Sequence, residues 1–194
     1  MIQVQKMSLL LAIAAPITLS AFGLAQTATT ELKATRADEG VTSDDAKRIR
    51  ENSPTTVVEA RGRARILYET MHGTLQVMHR DFFREDEGLK IPSRSLEDVF
   101  SELSRSYGVK LHWIAVDLKA MSVDNEPRTD FEKQAARVLK SGKNEFESVA
   151  GNEFRFAGRI RLSATCLSCH ASRRSSNDDR AAGLVITMPL ETRQ

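Results

Sequence analysis

Residues 154–170 read Phe-Arg-Phe-Ala-Gly-Arg-Ile-Arg-Leu-Ser-Ala-Thr-Cys-Leu-Ser-Cys-His, and this stretch decides the fold class that the sequence predicts. From 154 to 162, apolar or small residues alternate with mostly basic ones, which is the period-two pattern of a half-buried strand. The chain then passes directly into a Cys-x-x-Cys-His pentapeptide. A second strand-like run follows at 182–188. The two runs predict a hairpin whose connection carries the pentapeptide.

The rest of the chain predicts three helices and one further strand. Helical periodicity runs from residue 57 to 83, with apolar residues at spacings of three and four. Ser95 and Asp98 resemble a capping box that opens a second helix. A strand over 109–116 and a third helix over 128–141 follow. The predicted fold class is therefore α+β, an antiparallel sheet with flanking helices.

The pentapeptide contains both cysteines of the chain, in the spacing of a c-type haem attachment site. Cys166 and Cys169 would add across the two vinyl groups of haem as thioethers, and His170 would bind the iron as proximal ligand. A disulfide and a zinc site are the alternatives. The remaining histidines lie far upstream and do not supply the second ligand pair that a zinc site needs. We therefore predict one covalent haem c.

The first 25 residues resemble a secretory signal peptide. Lys6 is the only charge in this segment, and an apolar run from residue 7 to 24 ends in small residues, which predicts cleavage after Ala25. An uncleaved membrane anchor is the alternative, and Pro16 disfavours it. Export agrees with the haem motif, because covalent attachment is completed outside the cytoplasm. We expect a periplasmic or otherwise exported protein with no stable membrane insertion after cleavage.

The exported chain predicts a single domain. Residues 26–56 are polar and aperiodic, and we interpret them as an N-terminal linker before a haem-binding domain at 57–194. The formal charge is +2 and falls to +1 when Lys6 is removed with the signal peptide. A charge so close to zero gives no indication of nucleic-acid binding.

No enzyme motif is found in the sequence. A Gly-rich phosphate loop, an HExxH helix and a nucleophile elbow are all absent from it. We therefore expect no enzyme. The alternative is a weak peroxidase-type activity, which needs an open iron with a distal base and an arginine beside it, and His79-Arg80 only faintly resembles that pair.

The sixth coordination position of the iron needs a ligand from elsewhere in the chain. His72 and His79 share nearly the same face of the first predicted helix, but they lie about 10 Å apart along its axis, so only one can bind the iron. We favour His79 because Phe82 and Phe83 follow it and could wall the porphyrin. His112, on a predicted strand, is the weaker candidate.

Three arginines alternate along the strand that precedes the pentapeptide: Arg155, Arg159 and Arg161. Haem propionates are anionic, and a guanidinium group offers forked donors that suit carboxylates. These arginines are therefore candidate propionate contacts. A solvated strand face is the alternative interpretation.

Several segments together resemble the exported single-haem c-type proteins that have a PAS-like fold. The segments are the helix at 68–83, the strand at 108–111, residues 127–132, the Phe-Arg-Phe strand at 154–156 and the terminal CxxCH hairpin. The resemblance covers roughly residues 57–190, and CxxCH is its one specific motif.

The resemblance implies a PAS-like sheet with flanking helices and a buried haem. By position, it assigns Cys166 and Cys169 as the attachment cysteines and His170 as the proximal ligand. Some members of this family use a cysteine on a helix as the distal ligand, and the present chain has no third cysteine. The distal ligand therefore has to come from another residue type.

These predictions favour an exported mono-haem protein that transfers electrons or responds to redox state. Its partner would be a redox protein or a membrane sensor or electron-transfer protein. Ligation by two histidines would give a low reduction potential relative to histidine and methionine. The alternative is a haem-based sensor of a gas, a small ligand or redox state that acts through a separate partner protein.

Overall fold

The computed structural model describes residues 42–84, 88, 90–171 and 173–191. The predicted signal peptide and the first part of the predicted linker, up to residue 41, lie outside the described residues. The described residues belong to one compact unit. Within this part of the chain, no helix is long and apolar enough to cross a membrane.

Helices and strands are mixed along the described chain. In chain order the elements are α1 Ser43–Asn52, α2 Val57–Val77, a π-helix Met78–Phe82, α3 Pro92–Tyr107, β1 Lys110–Ala115, a 3-10 helix Val123–Asn125, α4 Asp130–Lys140, β2 Glu145–Ala150, β3 Glu153–Leu162, α5 Ala164–His170 and β4 Arg180–Pro189. The strands form a four-stranded antiparallel sheet in the order β1-β4-β3-β2. The predicted α+β class is confirmed.

The sheet is built around the pair β3 and β4, which are in register from one end to the other. Their connection, residues 163–179, contains α5. Alternation along β3 separates the two faces of the sheet. Phe154 and Phe156 pack into a large apolar cluster with α2 and α3, whereas Ala157 belongs to a smaller cluster with α4. Helices therefore cover both faces.

Helix α2 lies close against β3 at Gly158. A Cβ atom at this position would overlap the ring of Tyr68, and the Tyr68 hydroxyl donates a hydrogen bond to the carbonyl oxygen of Arg159. One turn and two turns earlier, Ala64 and Ala60 are fully buried. Small residues on both elements thus allow the close approach.

Two ion pairs show the direction in which α2 runs along the sheet. Arg61 binds Glu147, and Arg65 binds Glu145, both on β2. Glu147 is in register with Phe156, and Glu145 with the residue two positions further along β3. Helix α2 therefore advances in the same direction as β3, and its C-terminal end lies towards the end of β3 at which α5 begins.

The predicted linker over 26–56 is wrong for its described part. Residues Ser43–Asn52 form α1, which Thr42 opens with a capping box. Helix α1 packs against the end of α3, where Ile49 lies 3.1 Å from the position of a Cβ atom at Gly108. A polar helix with one large apolar contact shows too weak a periodicity to be recognised in the sequence.

The predicted capping box at Ser95 and Asp98 is also wrong. Helix α3 begins at Pro92, with Ile91 as the residue before it. Proline suits the first helical position because a backbone N–H at that position would have no partner within the helix, and proline has none. Ser95 lies within the first turn, where its amide donates to the carbonyl of Ile91 at 3.2 Å.

Like α1, strand β2 and helix α5 have no counterpart in the sequence prediction. Strand β2 is an edge strand without a buried residue, so it lacks the alternation that identifies a strand. Helix α5 is seven residues long, which is too short for a helical period to repeat. Helix α5 carries the site described next.

Candidate haem site

Helix α5 carries the whole CxxCH pattern. Cys166 and Cys169 are three residues apart on this helix, which places both thiols on one side, and His170 follows one turn after Cys166. Leu167 is fully buried in the large apolar cluster, and Cys166 packs against the same cluster. The core therefore holds the helix while two sulfur atoms and an imidazole project from it.

His170 is electrostatically coupled to His79. Its side chain is exposed, yet its pKa is lowered, first because nearby protein atoms partly desolvate the charged ring and second because His79 adds a positive charge nearby. The two imidazoles are therefore near each other, although residues 79 and 170 are far apart in the sequence.

The ring of His79 is oriented by its own helix. It stands on the π-helix, a rare conformation that occurs frequently at functional sites. Its Nδ1 donates a hydrogen bond to the carbonyl oxygen of Leu75 at 2.9 Å, and the ring of Phe83 meets it edge-on at 5.8 Å between centroids. Since Nδ1 carries the proton, Nε2 holds the lone pair that a metal requires.

His72 is engaged elsewhere. Its Nε2 accepts a hydrogen bond from the side-chain amide of Gln76 at 2.9 Å, and its ring lies 5.4 Å from that of Tyr68. Burial lowers the pKa of His72. It sits about 10 Å before His79 along the helix, over the sheet and not beside α5. Of the two predicted distal candidates, the structure brings His79 towards His170.

His112 has a structural position on β1. Its Nε2 donates to the carbonyl oxygen of Asp124 at 2.9 Å, and its Nδ1 lies 3.3 Å from a carboxylate oxygen of Glu132. Both ring nitrogens are thus occupied by partners that tie the 3-10 helix and α4 to the sheet. Because both ring nitrogens have partners, His112 is a poorer candidate for the distal ligand than His79.

The three alternating arginines lie on the face of β3 that bears α4. Gly158 faces α2. The odd-numbered residues of β3, which include the three arginines and Ala157, therefore face α4. Arg155 binds Glu153 at 2.6 Å, and the Nε of Arg159 is buried without a hydrogen-bond partner. The cysteine helix packs on the opposite face. We therefore do not extend the propionate prediction to Arg155 or Arg159.

Arg161, at the end of β3, lies beside the motif. Its pKa is raised, first by its hydrogen bond with Asp179 and to a smaller extent by Cys166. It is the predicted arginine whose electrostatic environment includes the cysteine helix. Propionate binding stays a prediction for this residue.

Arg174 has a role that the sequence did not predict, although its place in the loop after His170 made it an ambiguous candidate for propionate contact. Arg174 donates from Nη1 to the carbonyl oxygen of Leu167 at 2.9 Å and from Nε to Asn177 at 2.8 Å. A basic residue shortly after a helix end is a known way to satisfy the last carbonyls. This role could not be predicted from the sequence, because the helix α5 itself was not predicted.

The donor set fits a covalently held haem. The thiols and the imidazole required for attachment lie on one helix, and a second imidazole, whose Nε2 carries the lone pair, lies near His170. Leu75 and Met78 line the same side of the long helix and pack against the apolar cluster. Phe82 leaves 69% of its surface exposed next to His79, which is apolar surface that a porphyrin could cover.

Fold and site together define a class of protein, an α+β domain that presents a CxxCH helix to a histidine on a neighbouring helix. Residues 51–185 match the model of the Tll0287-like family, and the chain belongs to that family. The resemblance noted in the sequence is thereby confirmed at the level of the family.

Among solved structures, the chain is similar to the crystal structure of the cyanobacterial haem protein Tll0287. The TM-score is 0.52 at 18% sequence identity, and the match covers 70% of this chain and 98% of that chain. At this identity the likeness is one of fold. A comparison with curated proteins finds no match.

Proposed function

We propose that this chain is an exported mono-haem protein with a PAS-like fold, which transfers electrons or responds to redox state. Cys166 and Cys169 would attach the haem covalently, His170 would bind the iron as proximal ligand and His79 as distal ligand. The observation that carries the proposal is that Cys166, Cys169 and His170 stand on one helix, with His79 near enough for its charge to lower the pKa of His170. Family membership and the fold of a haem protein support it.

The bound haem supplies reversible one-electron chemistry, and the chain sets its ligands and surroundings. The hydrogen bond from His79 Nδ1 to Leu75 fixes the tautomer and makes Nε2 a better donor. Phe83 holds the His79 ring from its edge. Leu167 keeps the attachment helix in the core. Each of these contacts restricts movement of the ligands between oxidation states.

A histidine in this position replaces the distal cysteine found in some relatives. A neutral imidazole brings no negative charge to the iron, whereas a thiolate does. The reduction potential should therefore lie above that of a cysteine-ligated relative and below that of a histidine-methionine protein. Because two imidazoles fill both axial positions, we propose electron exchange with a partner protein and no substrate turnover.

Sensing is the second candidate function. His79 stands on a π-helix and is only half-buried. The π-helix could change to α-helical hydrogen bonding, and this change would rotate the His79 side chain away from His170. An external ligand could then take its place and the change would pass to a separate partner protein.

The experiment is expression of the full chain, with its N-terminal segment, in a bacterium that matures c-type cytochromes. We expect a periplasmic product cleaved after Ala25, with an intact mass raised by one haem and a six-coordinate low-spin spectrum that ignores carbon monoxide. Rapid binding of carbon monoxide would favour sensing instead. A colourless product with the mass of the unmodified chain would overturn the proposal.

Matched variants within the pentapeptide make the test specific. Cys166→Ala and Cys169→Ala should each remove one thioether, and the double variant should carry no covalent haem. Ser168→Ala is the control, because Ser168 lies between the cysteines and is exposed. Its hydroxyl donates to the carbonyl oxygen of Thr165 and lies 3.8 Å from the Cys169 sulfur, but it forms no bond to the haem in the proposed attachment. Its haem content should equal that of the wild-type protein.

A further inference from the structure

Arg174 holds the C-terminal end of the helix that carries the haem ligands. Its Nη1 donates to the carbonyl oxygens of Leu167 and Ala171, at 2.9 and 3.5 Å. Its Nε donates to the side-chain oxygen of Asn177 at 2.8 Å, which orients the guanidinium plane. One side chain thus bridges the end of α5, the residue after it and the following loop.

A short helix needs such a contact. The last carbonyls of any helix lack intrahelical partners, and they form the negative end of its dipole. Helix α5 has only seven residues, so the carbonyls that lack intrahelical partners belong to a large share of its residues. Leu167 anchors one side of this helix in the core, and Arg174 fixes the end at which His170 stands. Together they limit how far the proximal imidazole can move.

The charge of Arg174 is not cancelled by its hydrogen-bond acceptors. The carbonyls of Leu167 and Ala171 and the amide of Asn177 are all uncharged groups. Arg161 differs, because it donates to the carboxylate of Asp179. A positive charge kept at the end of the ligand helix disfavours the ferric state, which carries one more positive charge than the ferrous state.

We propose that Arg174 is a positioning residue for the haem-attachment helix and that its charge raises the reduction potential of the haem. This inference rests on the proposed function, since it concerns the group that α5 would hold. Arg174 donates hydrogen bonds to the backbone carbonyls of Leu167 and Ala171, so it acts on the ligands through the backbone of their helix.

The test compares two substitutions that remove the same charge from adjacent residues. In the haem-loaded protein, Arg174→Gln should lower the reduction potential clearly more than Arg173→Gln, because Arg173 is exposed and its charge is screened by water. Arg174→Lys keeps the charge without the forked geometry, so its potential should stay near that of the wild type. Equal shifts in both glutamine variants would overturn the proposal.

A second measurement uses the full chain without haem, as the Cys166→Ala, Cys169→Ala double variant. Hydrogen exchange at the Ala171 amide, which donates to Leu167 at 3.0 Å, should become faster when Arg174→Gln is added and stay unchanged with Arg173→Gln. Unchanged exchange in both would refute the positioning role. If the wild-type chain binds no haem, the proposed function fails, and this arm still decides whether Arg174 holds the helix.

Discussion

The two ends of helix α2 meet the rest of the molecule in different ways. In the first half, Ala60 and Ala64 are fully buried, and two arginines bind glutamates of the edge strand. At the other end the helix passes into a π-helix, Phe82 is exposed, and His79 is half-buried and near enough to His170 to lower its pKa. One helix is thus closely packed at its start and open at its finish.

The difference separates stability from function along a single element. The packed half fixes the position and direction of the helix, so the open half can hold a half-buried imidazole that is oriented by Leu75 and Phe83. A polar group kept ready for a ligand is tolerated where the surrounding scaffold is already determined. Variants at the two ends should therefore change different properties.

The largest effect is expected at the open end. In the haem-loaded protein, His79→Ala should remove the distal ligand and convert the low-spin iron to a high-spin or carbon monoxide-binding form, as seen by optical spectroscopy. His72→Ala is the matched control. The His72 ring accepts a hydrogen bond from Gln76, and we do not assign it as an iron ligand. If the His79 variant kept the low-spin spectrum and the His72 variant lost it, His72 and not His79 would be the distal ligand.

The next effect is expected where α2 crosses β3. Gly158→Ala should lower the free energy of unfolding by about 1–3 kcal/mol, because the new methyl group overlaps the ring of Tyr68. Denaturant unfolding measures the change. Gly62→Ala serves as control, since no atom lies within 4 Å of the added methyl, and it should be neutral or stabilising. An unchanged stability at Gly158 would show that the contact relaxes freely.

A smaller effect is expected from the hydroxyl of Tyr68. Tyr68→Phe removes its hydrogen bond to the carbonyl of Arg159 and should cost about 0.5–1.5 kcal/mol. Burial raises the pKa of Tyr68 to about 12, so the unfolded chain ionises first as the pH rises above 10. The wild type should therefore lose stability between about pH 10 and 12, and the variant should lose less. Parallel pH profiles would contradict this.

The smallest effect concerns the histidine pair in the haem-free chain. The pKa of His170 lies below its usual value of 6.5 through desolvation and through the charge of His79. Because the unfolded chain binds the proton more readily, stability should decrease as the pH falls below 6.5. NMR titration should show the pKa of His170 rising in His79→Ala. A pKa that does not move would place the two rings further apart.

Local patterns explain which elements could be predicted. The period-two run of β3, the long apolar stripe of α2 and the spacing of Cys166, Cys169 and His170 are each contained within a few neighbouring residues. Helix α1, strand β2 and helix α5 were missed because each is too polar or too short for a period to repeat. Their formation depends on what they pack against.

Choosing between equivalent residues required the tertiary structure. His72 and His79 share one face of the predicted helix over 57–83, which the structure divides into α2 and the π-helix, and no local pattern distinguishes them. The direction of α2 along β3 does, because it carries the end of the helix towards α5. In the same way, alternation predicted that Arg155 and Arg159 share a face but could not tell which face bears the cysteine helix.

The sequence by itself determined the chemistry of the site and the class of the fold. CxxCH spacing and strand alternation are properties of adjacent residues, so they are readable before the chain folds. Only the tertiary structure decided that His79 lies near His170 and that Arg174 holds the end of α5. Residues 79 and 170 are far apart in the chain, and they come together because the packed half of α2 sets where its open half ends. The Arg174 contacts are local, but they depend on α5, a helix too short to be predicted from the sequence.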